Sequence, residues 1–179
     1  MKILGIDPGL ADTGWGVIQC TAENGRRLAC SPRAEAGRRG RNADWLVVDY
    51  GNISTNARDA IENRLSDIHA EVMDLIKKYE PDVVTVEELY FGVNVKTAMK
   101  VGQARGAVIL AAGDCNLQVA NYAPNKIKIA LTGYGHADKQ QVQEMVKRFL
   151  KLDKVPKPDH AADALACAYC HAVSNQRLG

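Results

Sequence analysis

The chain has 179 residues, enough for one ordinary domain with a sizeable core. At 46% hydrophobic, 25% charged and 6% aromatic, its composition excludes a disordered chain, a collagen and a coiled coil. The formal net charge of +2 hides two opposed tracts, −7 over residues 44–90 and +7 over residues 91–157, and an anionic partner would meet the second.

In chain order, Met1–Ile6 predicts a first strand that runs into the turn Asp7-Pro8-Gly9. Gly14–Cys20 predicts a second strand after the turn signal Asp12-Thr13-Gly14, and Leu46–Ile53 a third, with antiparallel neighbours expected. Between the second and third lies a tract at about 21–43 with six arginines (26, 27, 33, 38, 39 and 41). It is expected as a long loop or extended hairpin inserted into a single domain spanning 1–179, either solvated or touching phosphates non-specifically. Apolar side chains at Ile61, Leu65, Ile68, Val72, Leu75 and Tyr79 recur every three or four residues, predicting a helix over 57–79 that Pro81 stops. Asp82–Val86 predicts a buried fourth strand ending at Glu87-Glu88, Asn94–Ala112 a second long helix and Asn116–Tyr122 a fifth strand. Helices over Asp138–Leu150, with Asp138 as N-cap, and over Asp159–Val173 complete the order. Three strands followed by helix–strand–helix–strand predict an α/β fold, a five-stranded mixed sheet with helices on both faces.

Only a few apolar residues precede Gly5 and Asp7, so no signal-peptide core is expected, and no apolar run approaches a membrane span. The five cysteines are read as reduced thiols in a cytoplasmic protein. Cys167-Ala-Tyr-Cys170-His171 spells a haem-attachment string, but it sits in an alanine-rich apolar run that reads as a core helix.

Asp7 ends an apolar strand, where a buried carboxylate is costly unless it binds something. Glu87 ends another strand, and alternation turns Glu88 to the opposite face. His160 and Asp163 are neighbours on one helix face, with small alanines between them. Three carboxylates and an imidazole from two strand ends and a helix start are a donor set for divalent cations, and two such cations suit phosphoryl displacement. No Walker A loop or G-x-G-x-x-G string is present, so the phosphate that approaches is expected to belong to a nucleic acid.

The segments GIDPGLADTGWGV (5–17), VEELYF (86–91), GQARG (102–106) and DHAADALA (159–166) resemble, in order, the RuvC family of Holliday-junction resolvases. The resemblance implies an RNase H-like fold and a crossover junction endodeoxyribonuclease acting in recombination and repair. It implies Asp7, Glu87, His160 and Asp163 as catalytic metal ligands holding two Mg²⁺ or Mn²⁺ ions. His160 stands where the family often has Asp, so a shift of preference toward Mn²⁺ is expected; Asp159 is an alternative ligand. Lys128, Lys139 and Tyr90 match the family's DNA-binding positions, and Lys96, Lys100 and Arg105 would extend that surface. The expected partners are a four-way DNA junction, a second copy of the chain and a branch-migration complex of the RuvA–RuvB type. Ala98, Gly102 and Gly106, four apart on the second long helix, offer a dimer seam. Two other readings are an RNase H-like nuclease for ribosomal RNA precursors and a non-catalytic junction-binding module.

Overall fold

The computed structural model describes residues 1–21, 44–88 and 95–174. The arginine-rich tract, Tyr90 and Phe91 lie outside the described residues, as does the side chain of Lys96.

Ten elements follow one another: β1 (Lys2–Asp7), β2 (Asp12–Thr21), β3 (Asp44–Ser54), α1 (Ile61–Tyr79), β4 (Val83–Glu87), α2 (Val95–Asp114), β5 (Val119–Tyr122), α3 (Pro124–Thr132), α4 (Lys139–Phe149) and α5 (Asp159–Ser174). The sheet order is β3-β2-β1-β4-β5. β1 to β3 pair antiparallel, while β1 with β4 and β4 with β5 pair parallel. This is the mixed sheet expected from the element order.

Alternation along the strands divides the core into two halves. Ile3, Ile18 and Val83 face α3, α4 and α5, where they meet Ile127, Val146 and Leu165. Leu4, Ile6, Val84 and Val86 face α1 and α2, where they meet Ile68, Val72, Ala104 and Val108. Helices therefore cover both faces.

Local signals account for most of the ends. α4 opens with a capping box: the Asp138 carboxylate accepts from the Gln141 amide, and the Gln141 side chain accepts from the Asp138 amide. α1 starts at Ile61 rather than at 57, after a turn at Asn56–Asp59, and its first predicted core residue, Ile61, is exposed. α3 is absent from the sequence-based order. Its apolar residues Ile127, Ile129 and Leu131 alternate as a strand would, yet Pro124 at the first turn and Gly133 at φ 76° bound a helix.

α5 lies unusually close to the sheet because β1 and β2 present glycines to it. An added Cβ at Gly5 would stand 2.1 Å from the carbonyl oxygen of Ala164, and one at Gly14 would stand 2.0 Å from that of His160. At Gly16 it would meet Leu165 Cδ2 at 2.6 Å. Alanines 161, 164 and 168 supply the complementary small surface, each fully buried. The haem-like string falls within this packing. Cys167 and Cys170 are buried free thiols, and His171 shares a 2.8 Å hydrogen bond between its Nδ1 and the Tyr122 hydroxyl.

Candidate active site

The carboxyl-terminal ends of β1 and β4 lie side by side. Their register pairs Ile6 with Val86, so the next position sets Asp7 beside Glu87. Both share a face with Ile3, Gly5, Val83 and Thr85, the face covered by α5, whereas Glu88 falls on the other side. The turn after Asp7 is braced from three directions. Thr13 Oγ1 donates to the Gly9 carbonyl at 2.7 Å, and Thr55 Oγ1 and Arg64 Nη2 both donate to the Leu10 carbonyl, at 2.6 and 3.1 Å.

The glycine seat brings the first turns of α5 over this strand end. One ligand atom from each of Asp7, His160 and Asp163 lies within 4.8 Å of the others. His160 Nδ1 is 2.8 Å from Asp7 Oδ2. A cavity of about 210 Å³ is lined by the acids Glu87 and Asp163, by Lys128 and Lys139, and by apolar residues among them Ile127 and Val142.

The electrostatics are those of crowded acids. Burial, then the charges of Asp7 and Asp163, push the Glu87 carboxyl up to about 7. Burial and Asp7 likewise raise Asp163, against the pull of Lys139. The hydrogen bond to Asp7 holds His160 above its ordinary range. Three acids thus share a partly buried point, with Glu87 and Asp163 raised by burial and by neighbouring carboxylates, which is an electrostatic setting for a cation.

Lys139, the first residue of α4, reaches two acids of α5. Its Nζ is 3.3 Å from Asp163 Oδ2 and 3.3 Å from Asp159 Oδ2. Asp159 also accepts from Lys157 Nζ at 2.7 Å, and that bond first, then Lys139, holds its carboxyl down at about 2. Asp159 is the first residue of α5 and faces the two lysines. Sequence spacing gave no sign of this pairing, because it depends on how α4 docks against α5.

Asp7, Glu87, His160 and Asp163 therefore converge, and Lys128 and Lys139 line the same cavity as Glu87 and Asp163. Arg105 turns elsewhere: its Nη2 donates to Asn121 Oδ1 at 2.6 Å, on β5. Lys100 is exposed on α2.

A family model described as crossover junction endodeoxyribonuclease RuvC matches residues 38–171. The RuvC crossover junction endodeoxyribonuclease of Caldicellulosiruptor saccharolyticus is 43% identical over 178 residues, covering 99% of this chain and 96% of that protein. The Alkaliphilus oremlandii protein of the same description is 46% identical over 172 residues, 96% of this chain and 93% of that one. Among solved structures, Thermus thermophilus RuvC in complex with a Holliday junction substrate superposes with a TM-score of 0.83 at 33% identity, over 99% of this chain and 96% of that one. The yeast mitochondrial Holliday junction resolvase Ydc2, at 12% identity and a TM-score of 0.66, shares the fold.

Proposed function

This chain belongs to the RuvC family of crossover junction endodeoxyribonucleases, and on that premise we propose that it resolves four-way DNA junctions by nicking two strands at symmetric positions. The observation that carries this reading is the convergence of Asp7, His160 and Asp163 within 4.8 Å, beside Glu87 and a cavity lined by Lys128 and Lys139.

The donor set suits divalent cations: three carboxylates and one imidazole, with the carboxyls of Glu87 and Asp163 raised by burial first and then by the charge of Asp7. Asp7, Glu87, His160 and Asp163 would hold two Mg²⁺ or Mn²⁺ ions. When bound, such ions supply neutralising charge at the scissile phosphate and acidity to a water. His160 leaves the site one negative charge short of an all-carboxylate set, which favours Mn²⁺.

The chain's own groups do the rest. Lys128 and Lys139 place positive charge where a phosphodiester approaching the cavity gains negative charge as water attacks phosphorus in line. The bond to the 3′ oxygen breaks, leaving a 3′ hydroxyl and a 5′ phosphate that a ligase can rejoin. The bracing of the turn after Asp7 and the close seat of α5 fix the four ligand-bearing positions before substrate arrives. Tyr90 follows Glu87 by three residues and is suited to stacking on an unpaired base at the branch.

Two cuts related by symmetry call for two sites, so the working unit is proposed as a C2 dimer. The outward face of α2 fits that role. Met99 and Leu110 are 63% and 59% exposed, and a Cβ added at Gly106 would meet nothing within 4 Å. The proposed setting is cytoplasmic, alongside a branch-migration complex of the RuvA–RuvB type. Among the described residues no helix is long and apolar enough to cross a membrane.

Incubation of a synthetic four-way junction with the protein and Mg²⁺ or Mn²⁺, next to a linear duplex and an RNA duplex of the same sequence, tests the reading. Nicking confined to the junction supports it. Preferential cleavage of duplex RNA, or junction binding with no metal-dependent nicking, would contradict it.

A further inference from the structure

Lys139 is placed to act on the substrate, yet the contact nearest the reaction, Asp163, is one it must lose. Once a divalent cation occupies the carboxylate of Asp163, the ammonium 3.3 Å away faces a like charge at close range. A lysine side chain has four rotatable bonds and is half exposed here, so a repelled Lys139 would spread into solvent unless another group retained it. Asp159 is such a group. It is not among the ligand atoms that cluster with Asp7, its Oδ2 lies 3.3 Å from Lys139 Nζ, and its other oxygen is held by Lys157 at 2.7 Å. As the first residue of α5, four before Asp163 and next to His160, it is fixed to the same helical turn as two ligands. Its position therefore follows theirs.

We propose that Asp159 is a positioning residue for Lys139. It keeps the ammonium at the cavity mouth, within reach of the phosphate being cut, while Asp163 is engaged by metal. This rests on the junction-resolving function proposed above and assigns to Asp159 a role distinct from ligation. Lys157, the second cation on the same carboxylate, stops Asp159 from turning toward the metal ligands and so fixes the direction in which Lys139 is drawn.

The test compares wild type, Asp159→Asn, Asp159→Glu, Lys139→Ala and the double variant Asp159→Asn/Lys139→Ala. Three quantities are read: the cleavage rate at saturating junction, junction affinity in Ca²⁺, and the Mg²⁺ concentration for half-maximal rate. Asp159→Asn is expected to lower the saturated rate by about tenfold, a size typical of coupled neighbours. Junction affinity and the Mg²⁺ midpoint should stay within about twofold of wild type. In the Lys139→Ala background the same change should alter the rate by less than about twofold, because there is no ammonium left to position. Asp159→Glu should recover most of the rate.

Equal losses in both backgrounds would overturn the proposal. So would a Mg²⁺ midpoint shifted upward with the rate restored at high metal, since that is how a ligand behaves. An arm that needs no cleavage reads the side-chain NMR mobility of Lys139 with Mg²⁺ present. A restrained Lys139 in wild type that becomes mobile in Asp159→Asn supports tethering, and equal mobility in the two contradicts it. Wild type that fails to nick junctions would defeat the function proposed above, while the mobility arm would still decide the role of Asp159.

Discussion

His160 and Asp7 lie 153 positions apart in the chain, and their side chains meet at 2.8 Å, Nδ1 of the imidazole against Oδ2 of the carboxylate. The contact ties the end of the central strand β1 to the first turn of α5. It also raises the His160 pKa, because the protonated ring is held by the carboxylate it faces.

Removing the Asp7 charge should therefore be felt twice. Asp7→Asn is expected to cut junction cleavage by a factor on the order of 10³ or more, with binding in Ca²⁺ left within a few-fold. The His160 titration followed by NMR should move down, since its main stabilising partner is gone. Retained cleavage would remove Asp7 from the proposed ligand set.

The imidazole should also show in the choice of metal. At saturating concentrations wild type is expected to cut faster in Mn²⁺ than in Mg²⁺, and His160→Asp should narrow the ratio. The comparison needs only initial rates in the two metals for both proteins. The same ratio in each would disconnect His160 from metal preference.

Glu87 makes the metal-free protein sensitive to pH. Its folded-state pKa of about 7 lies above the ordinary 4.5, so between these values the folded state holds more proton than the unfolded chain. The stability this group contributes is full below about 4.5 and is lost as the pH rises through about 7. In EDTA at pH 8, Glu87→Gln should be more stable than wild type by about 1–3 kcal/mol, and near pH 4 the difference should close. Urea unfolding at the two pH values checks this. Added Mg²⁺ should reverse the order at pH 8, because the carboxylate is then paired in wild type alone.

Two glycines should respond in opposite ways to the same change. Gly14→Ala drives a methyl group to 2.0 Å from the His160 carbonyl oxygen, so α5 must lift. A cost of about 1–3 kcal/mol and a large loss of cleavage are expected. Gly106→Ala meets nothing within 4 Å and should stabilise the monomer by about 0.5–1 kcal/mol through helix propensity. If α2 is the dimer seam, sedimentation should show weaker association in that variant. Thermal unfolding and sedimentation together separate the two effects.

These positions also mark what was legible in the sequence. The N-cap at Asp138, the apolar stripe from Leu65 to Tyr79 and the separation of Glu87 from Glu88 follow from local signals and periodicity, and each appears in the fold. The mixed sheet with helices on both faces followed from the order of elements, whereas the strand order β3-β2-β1-β4-β5 came from the structure. α3 escaped because nine residues with alternating apolar side chains suit a strand as well as a helix, although Pro124 and Gly133 marked its ends. The glycine seat was hidden for a different reason. Gly5, Gly14 and Gly16 look like ordinary strand residues until α5 is docked on them. The Asp159–Lys139 pair likewise exists only once α4 and α5 are side by side.

The central claim is tested most directly by mapping, to the nucleotide, the cuts made on all four strands of a mobile four-way junction in Mg²⁺ or Mn²⁺. Paired nicks at matching positions in two opposing strands, with ligatable 5′ phosphates, and none with Asp7→Asn, are the predicted result. Cuts scattered over all four strands or equally frequent in linear duplex, or nicking that survives in Asp7→Asn, would contradict it.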